Sequence, residues 1–271
     1  MRISARERRL AGAFVELADT LGDDFDPAAF LQRLAVRCVE LLGAGAAGVV
    51  LVDHQGRLGA AAASDERACR LELFALRRRE GPCVDCFRSA AAVPPLALAG
   101  AAADARWPHY APRARADGYR AVYAVPLRRR ETVVGALNIL TGGPAGGGGP
   151  AGSGGLPGDG EVALAQALAD AAAIGILQRR TVRQRDLLAD QLRTALASRV
   201  VVEQAKGVLA ERWGTSVDDA FTALRRYARG RRARLSDVAR GTVDGTLDTG
   251  PLRPPGRPAP PRPARTPGPD T

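Results

Sequence analysis

From residue 161 to about residue 213 the sequence reads as helix almost without a break, and directly ahead of it, at residues 142–160, stands GGPAGGGGPAGSGGLPGDG. This pair of neighbours constrains the fold more than any other feature. The glycine-rich run cannot bury a core and is expected to form a flexible loop or linker. The segment after it carries Leu164, Leu168, Ala171, Leu188, Leu192 and Leu196, so the run interrupts the folded region instead of ending it. A helix of that length invites a coiled-coil dimer. With 271 residues, 46% of them apolar, the chain has room for two domains of ordinary size.

Upstream, apolar residues recur at helical spacing over residues 7–21 (Leu10, Phe14, Leu17, Leu21) and 27–42 (Phe30, Leu34, Cys38, Leu41), which predicts two core-facing helices. Asp26 ahead of Pro27 supplies an N-cap with proline in the first turn, and Gly43 stops the second helix. Residues 46–52 read as a buried strand, His54-Gln55-Gly56 as a hairpin turn and residues 57–63 as the returning strand, before a third helix over residues 65–79. Residues 80–117 read as a long irregular stretch, because Gly81-Pro82, Pro94-Pro95, Trp107-Pro108 and Ala111-Pro112 break regular structure; loops of such length are usually functional. Strands follow at 119–127 and 132–140, joined by Arg128-Arg129-Arg130-Glu131 and alternating as an antiparallel pair does.

That order suits a sheet with helices packed on one face. The fold class is therefore read as α+β, an N-terminal antiparallel sheet with flanking helices followed by a C-terminal three-helix module. The boundaries fall at 1–178 for the first domain, including the insertion at 142–160, and 179–245 for the second, with a disordered proline- and arginine-rich tail at 250–271.

The net charge of +10 is concentrated. Residues 179–240 hold fifteen Arg/Lys against seven Asp/Glu, a net of +8, so a polyanion-binding surface belongs to the C-terminal third. Lys206 is the only lysine, and the arginine preference reads as codon bias from a GC-rich genome. No run of about 18 consecutive apolar residues occurs, and the N-terminal pattern is amphipathic, so a cytoplasmic location is expected. Cys38, Cys69, Cys83 and Cys86 are too few and too irregular for a disulfide framework, and reduced thiols are the default.

The basic third contains Ala197-Ser198-Arg199, then VVEQAKGVLAERWG at 201–214, TSVDDAFTALRRYAR at 215–229 and RLSDVA at 234–239. Ser216 ahead of Val217-Asp218-Asp219 is an N-cap with acids in the first turn, and Ala220, Phe221 and Leu224 form an apolar stripe. Ala205 and Gly207 remove bulk and are expected to let helices approach closely. Arg199 and Lys206 lie two turns apart on one helix face, and Arg225, Arg226, Arg229, Arg231, Arg232 and Arg234 cluster after them. The ordered set S-R, E-Q-A-K-G-x-L, Gly-Thr-Ser, A-F-x-x-L-R and L-x-x-V-A, over about 60 residues, resembles an ANTAR domain. The resemblance implies binding of RNA stem-loops in an antiterminator arrangement, with Arg199, Lys206, Arg212, Arg225, Arg226, Arg229 and Arg232 as candidate contacts and Tyr227 available for stacking. The plainer alternative is a solvated helix surface. Arg231-Arg232 stand where similar proteins often have asparagine, which weakens the N-cap of the last helix.

In the N-terminal region Gly81-Pro82-Cys83, Arg106-Trp107-Pro108, Ala116-Asp117-Gly118-Tyr119-Arg120, Val125-Pro126-Leu127 and Val134-Gly135-Ala136-Leu137-Asn138 resemble a GAF domain over about residues 10–178. That implies sensing of an unknown small-molecule or redox signal, and dimerisation, without naming the ligand. Cys83 and Cys86 form a C-x-x-C that is read as a redox switch or as ordinary reduced thiols; a zinc site would need His109 or other ligands brought in by the fold. Cys38 and Cys69 are expected in the core, and His54 and His109 in structural roles. No Walker loop, H-E-x-x-H or G-x-S-x-G is present, so no catalytic residue, metal or cofactor is assigned.

The leading reading is an RNA-binding antitermination regulator, a homodimer through the long helix and not an enzyme. The alternatives are a thiol enzyme of the methionine sulfoxide reductase kind using Cys83 and Cys86, and a regulator that binds duplex DNA.

Overall fold

The computed structural model describes residues 4–18, 25–53, 55–143 and 156–252. His54, most of the glycine-rich run and the tail beyond Leu252 lie outside the described residues. The chain divides into two compact units, Met1–Arg183 and Gln184–Thr271.

The first unit is built on a five-stranded antiparallel sheet of β1 (Ala46–Val52), β2 (Leu58–Ala63), β3 (Val93–Ala97), β4 (Tyr119–Arg129) and β5 (Thr132–Gly142) in the order β2-β1-β5-β4-β3. The expected hairpins β1/β2 and β4/β5 are both present. Period-two alternation sends Val49, Leu51, Tyr123, Val125, Leu127, Leu137 and Ile139 to one face, against α1 (Ala5–Ala18), α2 (Pro27–Leu42) and the start of α7 (Asp159–Trp213). Ala46, Val50, Val122, Ala124, Ala136 and Leu140 point to the other, against α3 (Glu66–Arg78), α4 (Pro82–Ser89), α5 (Ala101–Arg106) and α6 (Tyr110–Ala116). Helices thus cover both faces, not one as the element order implied, and this is why the strands read as nearly continuous apolar runs.

The helix ends follow the sequence. Asp26 Oδ1 accepts the Ala28 N–H at 3.0 Å, with Gly43 left-handed at φ 64° closing α2. Asp65 Oδ1 accepts the Ala68 N–H at 3.0 Å to start α3.

Residues 80–117 differ from expectation. They hold α4, β3, α5 and α6 instead of an irregular loop, because their prolines occupy positions that regular structure tolerates. Pro82 opens α4, and Pro112 sits in the first turn of α6, where the N–H has no helical partner. Pro94 and Pro95 fall in the bulge between Val93 and Leu96 on β3, an edge strand.

Helix α7 is 55 residues long. It is long and apolar enough over an 18-residue window, mean hydropathy 1.4, to cross a membrane by length and composition alone. In this fold Ala165, Leu168, Ala169, Ala172, Ala173 and Ile176 are buried against the sheet, which accounts for that character. In the second unit the last turns of α7, with Ala205, Leu209 and Trp213, pack on α8 (Val217–Gly230) through Ala220, Ala223, Leu224 and Ala228, and on α9 (Leu235–Val243) through Val238 and Ala239. The three-helix module expected from the sequence is present. Gly250–Leu252, assigned to the tail by composition, form a 3-10 turn whose Leu252 is buried in this core.

Candidate nucleic-acid interface and the buried polar cluster

In the second unit Ser216 Oγ accepts the Asp219 N–H at 3.1 Å, fixing the start of α8. Its apolar stripe then faces α7 and its arginines face outward. Arg225, Arg226, Arg229, Arg231, Arg232 and Arg234 are exposed, as is Arg199 on α7.

The seven candidate contacts separate by their partners. Lys206 is only 13% exposed at its side chain; its ammonium pairs with Glu203 Oε2 at 2.8 Å and stands 5.1 Å from the centre of the Phe221 ring. Arg225 lies over the same ring at 5.5 Å. Arg212 Nη1 donates to Thr249 Oγ1 at 3.0 Å, and Arg226 Nη2 to the Leu252 carbonyl at 3.5 Å, so both hold the C-terminal turn on the module. Arg199, Arg229 and Arg232 are exposed. Tyr227, expected to stack on a base, already carries Arg231 at 4.8 Å from its ring.

Two further expectations change. Ala205 is fully buried, but Gly207 is exposed and a Cβ built on it meets nothing within 4 Å, so its lack of a side chain serves no helix packing within this unit. Phe221 is only half-buried, at the edge of the stripe. The N-cap of α9 is weak, but it falls on Arg234, which makes no side-chain cap hydrogen bond, and not on Arg231 or Arg232 as expected; Arg232 takes a left-handed φ of 52°.

In the first unit Cys83 and Cys86 are buried in α4, not in a mobile loop. Burial pushes the Cys83 thiol well up, with the neighbouring Glu72 and Cys86 adding to the effect, and burial pushes Cys86 up to about 12. Thiolate is the reactive species, so both are poor redox or nucleophilic centres. Cys38 is buried as expected and Cys69 half-buried. His109 is structural: its Nδ1 lies 2.9 Å from Glu80 Oε2, while Glu80 Oε1 accepts the N–H groups of His109 and Tyr110 at 2.7 Å each. Among the described residues no group of three or more His, Cys, Asp or Glu could hold a metal ion.

The same face of the sheet holds a cluster that sequence reasoning missed. Glu72 of α3 and Asn138 of β5 are fully buried; Asn138 Nδ2 donates to Glu72 Oε1 at 2.6 Å and to Tyr110 Oη at 3.0 Å. The Cys83 thiol, beside Glu72, donates to the Ala136 carbonyl at 4.0 Å. Burial pushes the Glu72 carboxyl up, more than the Asn138 amide and the neighbouring thiol draw it down. Glu72 Oε2 and Asn138 Oδ1 have no partner. Asn138 inside an otherwise apolar strand was the one available signal.

The family model of the ANTAR domain matches residues 190–242 and that of the GAF domain residues 26–177. Among solved structures, the GAF domain from a Coxiella burnetii phosphoenolpyruvate-protein phosphotransferase is 16% identical, covering 67% of this chain and 99% of that one at a TM-score of 0.46. The GAF domain of the Acinetobacter phosphoenolpyruvate-protein phosphotransferase is 12% identical over 68% and 99%, at 0.45. Free methionine-R-sulfoxide reductase from Neisseria meningitidis, solved with its substrate, is 18% identical over 67% and 98%, at 0.44. No curated protein matches the chain. The GAF match alone spans more than half of the sequence, and the chain belongs to the GAF domain family, with an ANTAR domain, the RNA-binding antitermination module, following the sensor domain.

Proposed function

We propose that this protein is a non-catalytic transcription antitermination regulator whose ANTAR module binds RNA stem-loops and whose GAF domain sets the availability of that module in response to a small-molecule signal. The observation that carries this reading is the outward set of arginines on the ANTAR module, with Arg199, Arg229 and Arg232 exposed and Arg225 held over Phe221. Guanidinium groups bind phosphate bidentately and stack on unpaired bases, and the loops of a stem-loop are where side chains can read RNA sequence. Lys206, Arg212 and Arg226 serve this surface by holding its framework.

The coupling runs through a homodimer. Leu187, Leu188, Leu192, Leu196 and Val200 of α7 are each more than half exposed, a line of apolar side chains that a second copy of the same helix would cover. A protein that acts on nascent transcripts belongs in the cytoplasm. The buried, protonated state of Cys83 and Cys86 speaks against a thiol enzyme.

A titration of the full chain against a two-stem-loop RNA, its loop-scrambled version and a DNA duplex, at fixed near-physiological salt, tests the proposal. Preference for the native RNA by about tenfold or more, roughly 1.4 kcal/mol, is expected. Equal affinity for all three would reduce the surface to a nonspecific polyanion binder.

A further inference from the structure

We infer that the segment following Leu252 is a second RNA-binding arm, which grips the phosphate backbone of the RNA held by the ANTAR module through Arg253, Arg257, Arg262 and Arg265. This deepens the RNA reading above and rests on it.

The starting point of the arm is built into the module, because the chain does not leave the module at the end of α9. The Leu247 N–H donates to the Gly241 carbonyl at 2.9 Å, Arg212 Nη1 donates to Thr249 Oγ1 at 3.0 Å, and the Leu252 N–H closes the final turn on the Thr249 carbonyl at 3.2 Å. Leu252 itself is only 1% exposed, packed in the core formed by α7, α8 and α9. Its carbonyl, the last one before Arg253, accepts from Arg226 Nη2 at 3.5 Å. Arg226 and Arg229 stand three residues apart on α8, a spacing that makes side chains neighbours on a helix surface. The chain therefore passes Leu252 beside Arg229, one of the exposed arginines of the proposed RNA surface.

The composition beyond that point selects the partner. The nineteen residues after Leu252 include four arginines, eight prolines and one acid, Asp270, but no aromatic residue and no leucine, isoleucine, valine or methionine. A protein partner that binds by burying large apolar anchors finds none here. Guanidinium groups, in contrast, match phosphate in charge and geometry. So many prolines also leave the backbone less freedom to lose on binding. Consecutive arginines lie three to five residues apart. At about 3.1 Å per residue of an extended proline-rich chain they are spaced by roughly 9 to 16 Å, so each meets a phosphate of its own.

The attachment at Leu252 makes contact by the arm intramolecular once the module has docked, which raises affinity through effective concentration. Phosphate contacts carry no sequence information. The arm thus adds the same factor to every RNA that the module holds and leaves the choice of loop sequence to the module.

The full chain is compared with a full-length variant carrying Arg253→Gln, Arg257→Gln, Arg262→Gln and Arg265→Gln, and with a chain that ends at Leu252 and so keeps every anchoring contact. Each is titrated with the two-stem-loop RNA and its loop-scrambled version over a salt series. Both altered chains are expected to melt within about a degree of the full chain and to bind each RNA about tenfold or more weakly at near-physiological salt. The slope of log K against log salt is expected to fall by about 2 to 3, with the preference for the native loops unchanged. Arginine to lysine at the same four positions, which keeps the charge, retains the slope. Unchanged affinity and slope in both altered chains, with the native loops still preferred, overturns the arm and leaves the RNA reading standing. Tighter binding by the shortened chain also overturns it and makes the segment a cover over the module. A loss on shortening that the four glutamines do not reproduce overturns the phosphate contact. Absence of RNA binding by the full chain overturns the arm and the RNA reading together.

Discussion

Lys206 places its ammonium 5.1 Å from the centre of the Phe221 ring, and this contact ties α7 to α8. The same ammonium is paired with Glu203, so the only lysine of the chain is spent on holding two helices together at the edge of the proposed RNA surface. Lys206→Ala is expected to destabilise the ANTAR module by about 1 kcal/mol, lowering its melting temperature by several degrees. Thermal unfolding followed by circular dichroism checks this; an unchanged melt with lost RNA binding would return Lys206 to the role of a direct contact.

Arg229 and Arg232 should behave in the opposite way. Both are exposed on the module. Arg229→Ala and Arg232→Ala are expected to leave the melting temperature within about a degree while each lowers the salt dependence of RNA binding, the slope of log K against log salt, by about 0.7 to 1. Filter binding over a salt series measures both quantities.

Gly207 lies in the middle of a helix with open space where a side chain would be. Gly207→Ala should therefore stabilise the module by about 0.8–1 kcal/mol, read as a higher denaturation midpoint. A lower midpoint would contradict the open environment described for this residue.

The exposed leucines of α7 are the surface proposed to carry the dimer. The double variant Leu188→Glu, Leu192→Glu is expected to reduce the mass seen in sedimentation equilibrium from twice 28.4 kDa to 28.4 kDa, without loss of helix content. A variant that still sediments as a dimer would move the contact to another surface.

Glu72 gives the sensor domain a pH dependence of definite sign. Its carboxyl is raised in the folded protein, so the folded state keeps a proton that the unfolded chain loses near pH 4.5. The contribution is complete below that pH and is lost as pH rises toward the folded value, at up to about 1.36 kcal/mol per pH unit. Glu72→Gln cannot ionise and should gain on the wild type as pH rises above about 5, measured as a widening difference in urea midpoints. A constant difference would show that the Glu72 carboxyl ionises in the folded protein just as it does in the unfolded chain.

How much of this was legible beforehand depends on the range of the interaction. The caps at Asp26 and Ser216 are local and could be read directly, as could the alternation of β4 and β5, whereas Asp65, placed inside the third helix by its pattern, is its N-cap. The prolines of residues 80–117 misled because their meaning depends on position: Pro82 opens a helix, while Pro94 and Pro95 sit in an edge bulge. The charge of the ANTAR module was visible, but not that Arg212 and Arg226 would be turned toward Thr249 and Leu252. Glu72 was hidden most completely. In Arg70-Leu71-Glu72-Leu73 it looks like a solvated helix position, and only the placing of α3 over β5 brings it onto Asn138, 66 residues away.

The two prolines of β3 also bear on how the protein behaves when crowded. A sheet edge is a template on which another chain can polymerise, and Pro94 and Pro95, which have no N–H, interrupt the ladder such growth requires on β3. Strand pairing is disfavoured on that side, which leaves β2, the opposite border of the sheet, as the edge open to such growth.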